Sequence, residues 1–149
     1  MDYEKLMQPA LEAAKKCLEE GVDVPIGCAI YRGEELLATS YNTRQAERQV
    51  IGHAEVKAIT EACKIIGDWR LNECTLFVTL EPCAMCSGTI AESRIGTIVY
   101  GASRPDADVH TARCADILPK NVKIIPDVCA RESVELLQTF FAKRRSENN

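Results

Sequence analysis

Apolar positions recur at helical spacing over residues 3–20, where Leu6, Ala10, Leu11, Ala14, Cys17 and Leu18 share one stripe and Gly21 follows as a stop. Two short apolar runs, 26–31 and 35–39, flank Arg32-Gly33-Glu34 and predict a strand pair around that turn. Residues 42–52 are polar and predict a loop. A second helix is expected over 53–66, with Val56, Ile59, Cys63 and Ile66 on one face and Gly67 at its end. Cys74-Thr-Leu-Phe-Val-Thr-Leu80 has the β-rich composition of a buried strand. Pro82 opens a third helix at about 83–93, because proline is favoured in a first helical turn. Residues 97–101 predict the next strand, 102–120 an irregular polar stretch, and 122–125 a short strand. The last helix, 131–145, would be built on Val134, Leu137, Phe140 and Phe141.

Strands separated by helices imply βαβ units and an α/β fold whose central sheet is covered on both faces. Strands 74–80 and 97–101, joined by a helix, should be parallel neighbours. No repeat, low-complexity stretch or Pro/Ser-rich linker divides the chain, so residues 1–149 are expected to form one domain.

With 46% hydrophobic and 27% charged residues, disordered, collagen-like and disulfide-miniprotein classes are excluded. No run reaches the roughly 18 apolar residues of a membrane span. Met1-Asp2-Tyr3-Glu4-Lys5 lacks a basic-then-apolar leader, so a cytoplasmic protein with no membrane partner is expected. A net charge of −4 excludes a strongly basic nucleic-acid binder but leaves room for a local basic patch. Eight cysteines in such a compartment are reduced thiols: metal ligands, nucleophiles or small core residues. Cys17, Cys28, Cys63 and Cys74 fall on apolar faces or strands and read as core. Cys114 and Cys129 have no evident place and no nameable partner, and the irregular stretch leaves room for Cys114 to be exposed.

The most informative residues are His53-Ala54-Glu55 and Pro82-Cys83-Ala84-Met85-Cys86. Cys83 and Cys86 lie three apart at a helix start, so both sulfurs can share one face. The electropositive helix N-terminus favours the thiolate that a metal requires. His53 starts another helix, so one ion can bridge two helix N-termini. One imidazole and two thiolates suit zinc and leave a fourth position for water, the pattern of a catalytic site. Glu55, two residues past the histidine, is placed to carry protons without occupying the metal. Two other readings of Cys-x-x-Cys stay open, a structural zinc half-site and a redox pair. Neither accounts for His53-Ala54-Glu55, whereas His-x-Glu followed by Pro-Cys-x-x-Cys is the signature of zinc nucleobase deaminases.

On these residues the chain resembles the cytidine deaminase superfamily, and within it the bacterial tRNA adenosine deaminases. The similar stretches include Val24-Pro25-Ile26-Gly27, Tyr41-Asn42, Asp68-Trp69-Arg70-Leu71, Thr79-Leu80-Glu81-Pro82-Cys83-Ala84-Met85-Cys86-Ser87-Gly88, Ser93-Arg94-Ile95-Gly96 and Phe140-Phe141-Ala142-Lys143-Arg144-Arg145. The resemblance implies a three-layer α/β/α fold with a five-stranded mixed sheet, and a homodimer with the active site near the interface. It implies one zinc ion per subunit on His53, Cys83 and Cys86, with Glu55 as catalytic proton shuttle. It implies that Asn42 hydrogen-bonds the base or its sugar, and that Pro25, Ile26, Gly27 and Ala54 line the base pocket.

Two segments depart from the family pattern. Arg48-Gln49-Val50-Ile51-Gly52 replaces the usual Asp-Pro-Thr-Ala before the histidine, and 102–114 has lost a Gly-rich loop and gained Asp106 and Asp108. These aspartates would repel a phosphate backbone and could accept hydrogen bonds from a small heterocycle; the plainer reading makes them solvated loop residues. His110 reads as a surface residue. Lys143-Arg144-Arg145 pulls the other way, toward tRNA phosphates, or else complements its own helix dipole. The expected substrate is therefore the wobble adenosine of a tRNA anticodon loop. The alternatives are a free nucleobase or nucleoside (cytosine, adenine, guanine or a relative) and, from another class, a non-catalytic zinc-binding partner subunit.

Overall fold

The computed structural model describes residues 1–104 and 112–148. In chain order the elements are α1 (Tyr3–Glu20), β1 (Gly27–Arg32), β2 (Glu35–Tyr41), α2 (Ala54–Ile66), β3 (Cys74–Leu80), α3 (Ala84–Ser93), β4 (Thr97–Ala102), α4 (Cys114–Ile117), β5 (Lys123–Ile125) and α5 (Ala130–Glu147). Local chemistry sets several of the ends. Asp2 caps α1 by accepting the Lys5 N–H at 3.1 Å, and Gly21 closes that helix in the left-handed region.

The strands form one five-stranded mixed sheet in the order β2-β1-β3-β4-β5. β1 runs antiparallel to both β2 and β3. β3, β4 and β5 are mutually parallel, joined through α3 and through α4. Side chains alternate across the strands and feed two cores. One face packs Ala29, Tyr31, Phe77 and Val99 against Leu6, Met7, Ala10 and Leu11 of α1, with Leu136 of α5. The other packs Cys28, Ile30, Leu76, Val78 and Ile98 against Ala58, Ile59 and Ala62 of α2 and Ile90 of α3. The result is the α/β/α sandwich expected from the sequence, with three layers and the parallel β3–β4 pair.

Three expectations need correction. The buried face of α2 is Ala54, Glu55, Ala58, Ile59 and Ala62, and Val56, Cys63 and Ile66 are only partly covered. Alanines let this helix lie close on the sheet, and the larger side chains flank the seam. On α5 the fully buried residues are Ser133 and Phe140, whereas Val134 and Phe141 are exposed. The irregular stretch holds the short helix α4, which buries Cys114 in the core on the α2–α3 side of the sheet instead of exposing it.

The close seam of α1 on β1 depends on Gly27. A Cβ there would lie 1.8 Å from the Ala10 carbonyl oxygen and 2.7 Å from the Ala14 nitrogen. Its N–H is held by Thr79 Oγ1 at 3.1 Å.

Candidate active site

Two helix starts converge at the ends of the central strands. His53 is the N-cap of α2 and Cys83 the N-cap of α3, both with extended backbone, and Cys86 follows in the first turn of α3. His53 Nδ1 lies 3.6 Å from Cys83 Sγ and 3.4 Å from Cys86 Sγ. The three ligand atoms all fall within 4.8 Å of one another. Tetrahedral zinc, with Zn–S near 2.3 Å and Zn–N near 2.0–2.1 Å, requires N···S separations of about 3.6 Å. The donor set therefore fits zinc in both chemistry and spacing.

The electrostatics agree. A hydrogen bond from the Cys86 thiol pulls Cys83 down to about 3, with His53 assisting, and the same bond pushes Cys86 up. The thiolate is the form that ligates a metal, and binding a divalent ion releases the thiol protons. The hydrogen bond with Cys83 holds the His53 imidazole up. Glu55 is only 4% exposed, and burial holds its carboxyl above the usual range. A carboxyl poised in this way can both take and return a proton.

These groups open into a cleft of about 1230 Å³ whose walls include Ile26, Asn42, His53, Glu55, Cys83 and Met85. Arg44, Arg104 and Arg144 also line it. Each wall is fixed by its own contacts. Arg144 Nη2 donates to the Val22 carbonyl at 2.6 Å, tying α5 to the end of α1. The Arg104 N–H donates to the buried carboxylate of Glu81 at 3.1 Å, which also pairs with Arg113 at 2.8 Å. Asn42 donates through Nδ2 to the Val24 carbonyl at 3.2 Å and accepts the Arg44 N–H at 3.1 Å.

Of the residues expected to meet substrate, Asn42 and Ile26 stand on the cleft wall. Ala54 is buried at the start of α2, behind His53, and Pro25 and Gly27 lie beneath the surface. Asp106, Asp108 and His110 fall outside the described residues. The sequence assigns no role to Glu81, although it stands in the family-like stretch before Cys83, or to Arg104; their pairing through a backbone amide and a distant guanidinium leaves no local signal. Trp69 sits apart from the cleft, 51% exposed, with the guanidinium groups of Arg70 and Arg94 over its ring.

Comparison with known proteins places the chain among deaminases. Among curated proteins, a tRNA-specific adenosine deaminase of Streptococcus pyogenes serotype M18 is 40% identical over 143 residues, covering 93% of this chain and 89% of that protein. A solved structure described for A-to-I editing by tRNA:A34 deaminases at the wobble position of transfer RNA is 32% identical, with a TM-score of 0.79 over 88% of this chain and 97% of that one. A guanine deaminase structure from Bacillus subtilis is 33% identical, with a TM-score of 0.68 over 72% of this chain and 68% of that one. Residues 1–102 match the family described as the cytidine and deoxycytidylate deaminase zinc-binding region, and the chain belongs to that family of zinc-dependent hydrolytic deaminases.

Proposed function

We propose that this protein converts adenosine to inosine at the wobble position of tRNA, with His53, Cys83 and Cys86 holding one zinc ion and Glu55 moving the protons. The observation that carries the reading is the buried Glu55 carboxyl beside the three ligand atoms, at a cleft of about 1230 Å³ lined by three arginines. That volume exceeds the roughly 300–1,000 Å³ of an ordinary small-molecule pocket. A base flipped out of a polynucleotide needs such an open cleft, and a guanidinium group, among them that of Arg44, is suited to its phosphates. The Streptococcus relative and the tRNA:A34 deaminase structure support the same substrate.

Zinc, when bound, supplies an activated water near neutral pH and a positive charge at the reacting centre. Glu55 takes a proton from the attacking water. It gives that proton to the ring nitrogen next to the carbon under attack, then takes the second proton from the added hydroxyl and passes it to the departing amine as the C–N bond breaks and the carbonyl forms. Adenosine and water become inosine and ammonia. Asn42 presents its carboxamide to the base or its ribose, oriented by its two backbone partners. Ile26 supplies an apolar wall, and the backbone of Pro25, Gly27 and Ala54 supports it from behind.

The same reading includes one catalytic domain over 1–149, a homodimer and a cytoplasmic setting. The dimer is supported by Val50 and Ile51, 71% and 57% exposed beside the cleft, which a second copy would cover. Eight free cysteines fit a reducing compartment, and no helix among the described residues is long and apolar enough to cross a membrane.

The experiment is ammonia release by the zinc-loaded protein on an anticodon stem-loop with a wobble adenosine, beside free adenine, guanine, cytosine and their nucleosides. Turnover confined to the stem-loop is expected. Turnover confined to a free base, which the likeness to the guanine deaminase structure makes the second reading, would overturn the tRNA assignment and keep the chemistry.

A further inference from the structure

Asp23 is a buried carboxylate that the reaction does not use. It lies just beyond α1, is 4% exposed and borders the cleft. Its two oxygens accept from consecutive backbone amides, Gln45 N–H at 2.6 Å and Ala46 N–H at 3.0 Å. The amide just before them, of Arg44, is taken by Asn42 Oδ1 at 3.1 Å. Asn42 in turn donates back to the Val24 carbonyl at 3.2 Å. Two side chains thus hold three successive N–H groups, and they staple residues 23–24 to the turn at 44–46 from both sides. Lys57 Nζ pins the same turn from α2, 2.8 Å from Thr43 Oγ1.

A carboxylate bonded to backbone amides sets the path of a chain more than the chemistry of a site. Such charge-assisted bonds are short and about twice as strong as neutral ones. Here the path delivers Arg44 and Gln45 to the cleft wall beside Asn42.

We infer that Asp23 is a positioning residue that holds the turn at 44–46 so that Arg44 meets a phosphate of the bound polynucleotide. The inference rests on the tRNA reading above for the identity of the ligand. Arg44 acts directly, through the planar fork that matches a phosphate, and Asp23 acts through Arg44. Asn42 is then held by the same staple, so the arginine and the carboxamide keep a fixed relation across the wall.

The test is a binding cycle on the zinc-loaded protein with an anticodon stem-loop carrying guanosine at the wobble position, which is not the substrate. Dissociation constants are measured by fluorescence anisotropy at several salt concentrations for wild type, D23N, R44Q and the double variant. R44Q should weaken binding roughly tenfold and cut the log–log salt slope by about 0.7, one single-strand phosphate contact. D23N should lose a similar factor and the same slope, and the double variant should bind no more weakly than R44Q alone. Hydrogen exchange at the Gln45 and Ala46 amides should accelerate in D23N while zinc content stays at the wild-type level. A merely structural role would not move the salt slope. Losses that multiply in the double variant, or a D23N protein with wild-type affinity and slope, would overturn the inference. Should D23N fail to fold, D23E keeps the charge and displaces it by one methylene, and the same criteria apply. A wild-type protein that binds the stem-loop yet deaminates only a free nucleoside removes the tRNA reading and leaves the cycle decisive. One that does not bind the stem-loop overturns both.

Discussion

Substituting Gly27 by alanine separates packing from substrate contact at a position that sequence resemblance places in the base pocket. The new Cβ would lie 1.8 Å from the Ala10 carbonyl oxygen and 2.9 Å from the Ala10 carbonyl carbon. The first distance is about half the roughly 3.5–4.0 Å of a favourable contact between carbon atoms. Both atoms are helix backbone, so no side chain can rotate aside, and α1 must lift from β1. That helix buries Leu6, Met7, Ala10, Leu11, Ala13, Ala14 and Cys17, so a rigid shift disturbs a whole seam. Overpacking ordinarily costs about 1–3 kcal/mol; a backbone clash of this depth should cost roughly 3–5 kcal/mol. For a chain of this size that lowers Tm by roughly 6–20 °C. Urea and thermal unfolding of zinc-loaded G27A measure the loss, and metal analysis should show zinc retained, because His53, Cys83 and Cys86 sit on α2 and α3. A G27A protein with wild-type Tm and a raised KM would refute this reasoning and return Gly27 to the base pocket.

Cys86→Ser should take bound zinc from one ion per chain to a small fraction of that after dialysis against a weak chelator, read by elemental analysis, since hard oxygen replaces a soft thiolate. Burial first, and the Asp23 carboxylate second, push the Cys17 thiol up to about 11. A raised pKa means that the folded state holds the proton longer. This contribution to stability is therefore complete below about pH 9 and is lost as pH rises through 11. Urea midpoints should fall over that window in wild type and fall less in C17A; equal slopes would discount the burial of this thiol.

Much of the fold is legible in the sequence because its signals are local. The stripe Leu6, Ala10, Leu11, Ala14, Cys17 and the Gly21 stop mark α1 within a residue, and β3 is bounded as expected at Cys74 and Leu80. The faces of α2 and α5 are less legible. Counting large apolar side chains favours Val56 and Ile66, but the sheet selects alanines, whose value is close approach and which carry little weight in a hydrophobic pattern. On α5, Ser133 is buried against Gly101, where a Cβ would come within 2.5 Å of Ser133 Oγ, so a small polar residue occupies a core position. Helix α4 spans only four residues, too few for any periodicity to show.

The site divides in the same way. His53, Cys83 and Cys86 are legible because metal ligation needs particular elements at particular spacings, and each falls at a helix start. Asp23 and Glu81 are not, because their partners are the amides of Gln45, Ala46 and Arg104 and a guanidinium 32 residues away. Nothing in the type or spacing of a loop aspartate announces which backbone it will hold. The three arginines of the cleft come from distant segments that only the fold brings together, on a chain whose net charge is −4.

The most direct test of the central claim is the Glu55→Gln protein, assayed for ammonia release on the wobble-adenosine stem-loop and for bound zinc in the same preparation. Glutamine keeps the shape of Glu55 and cannot carry protons, and general acid–base catalysis is worth about 10²–10⁴-fold. The account predicts at least that loss in kcat with one zinc per chain still bound and little change in stem-loop affinity. Turnover near the wild-type rate with zinc in place would contradict it, since protons would then be moving through a group other than the buried carboxyl beside His53, Cys83 and Cys86.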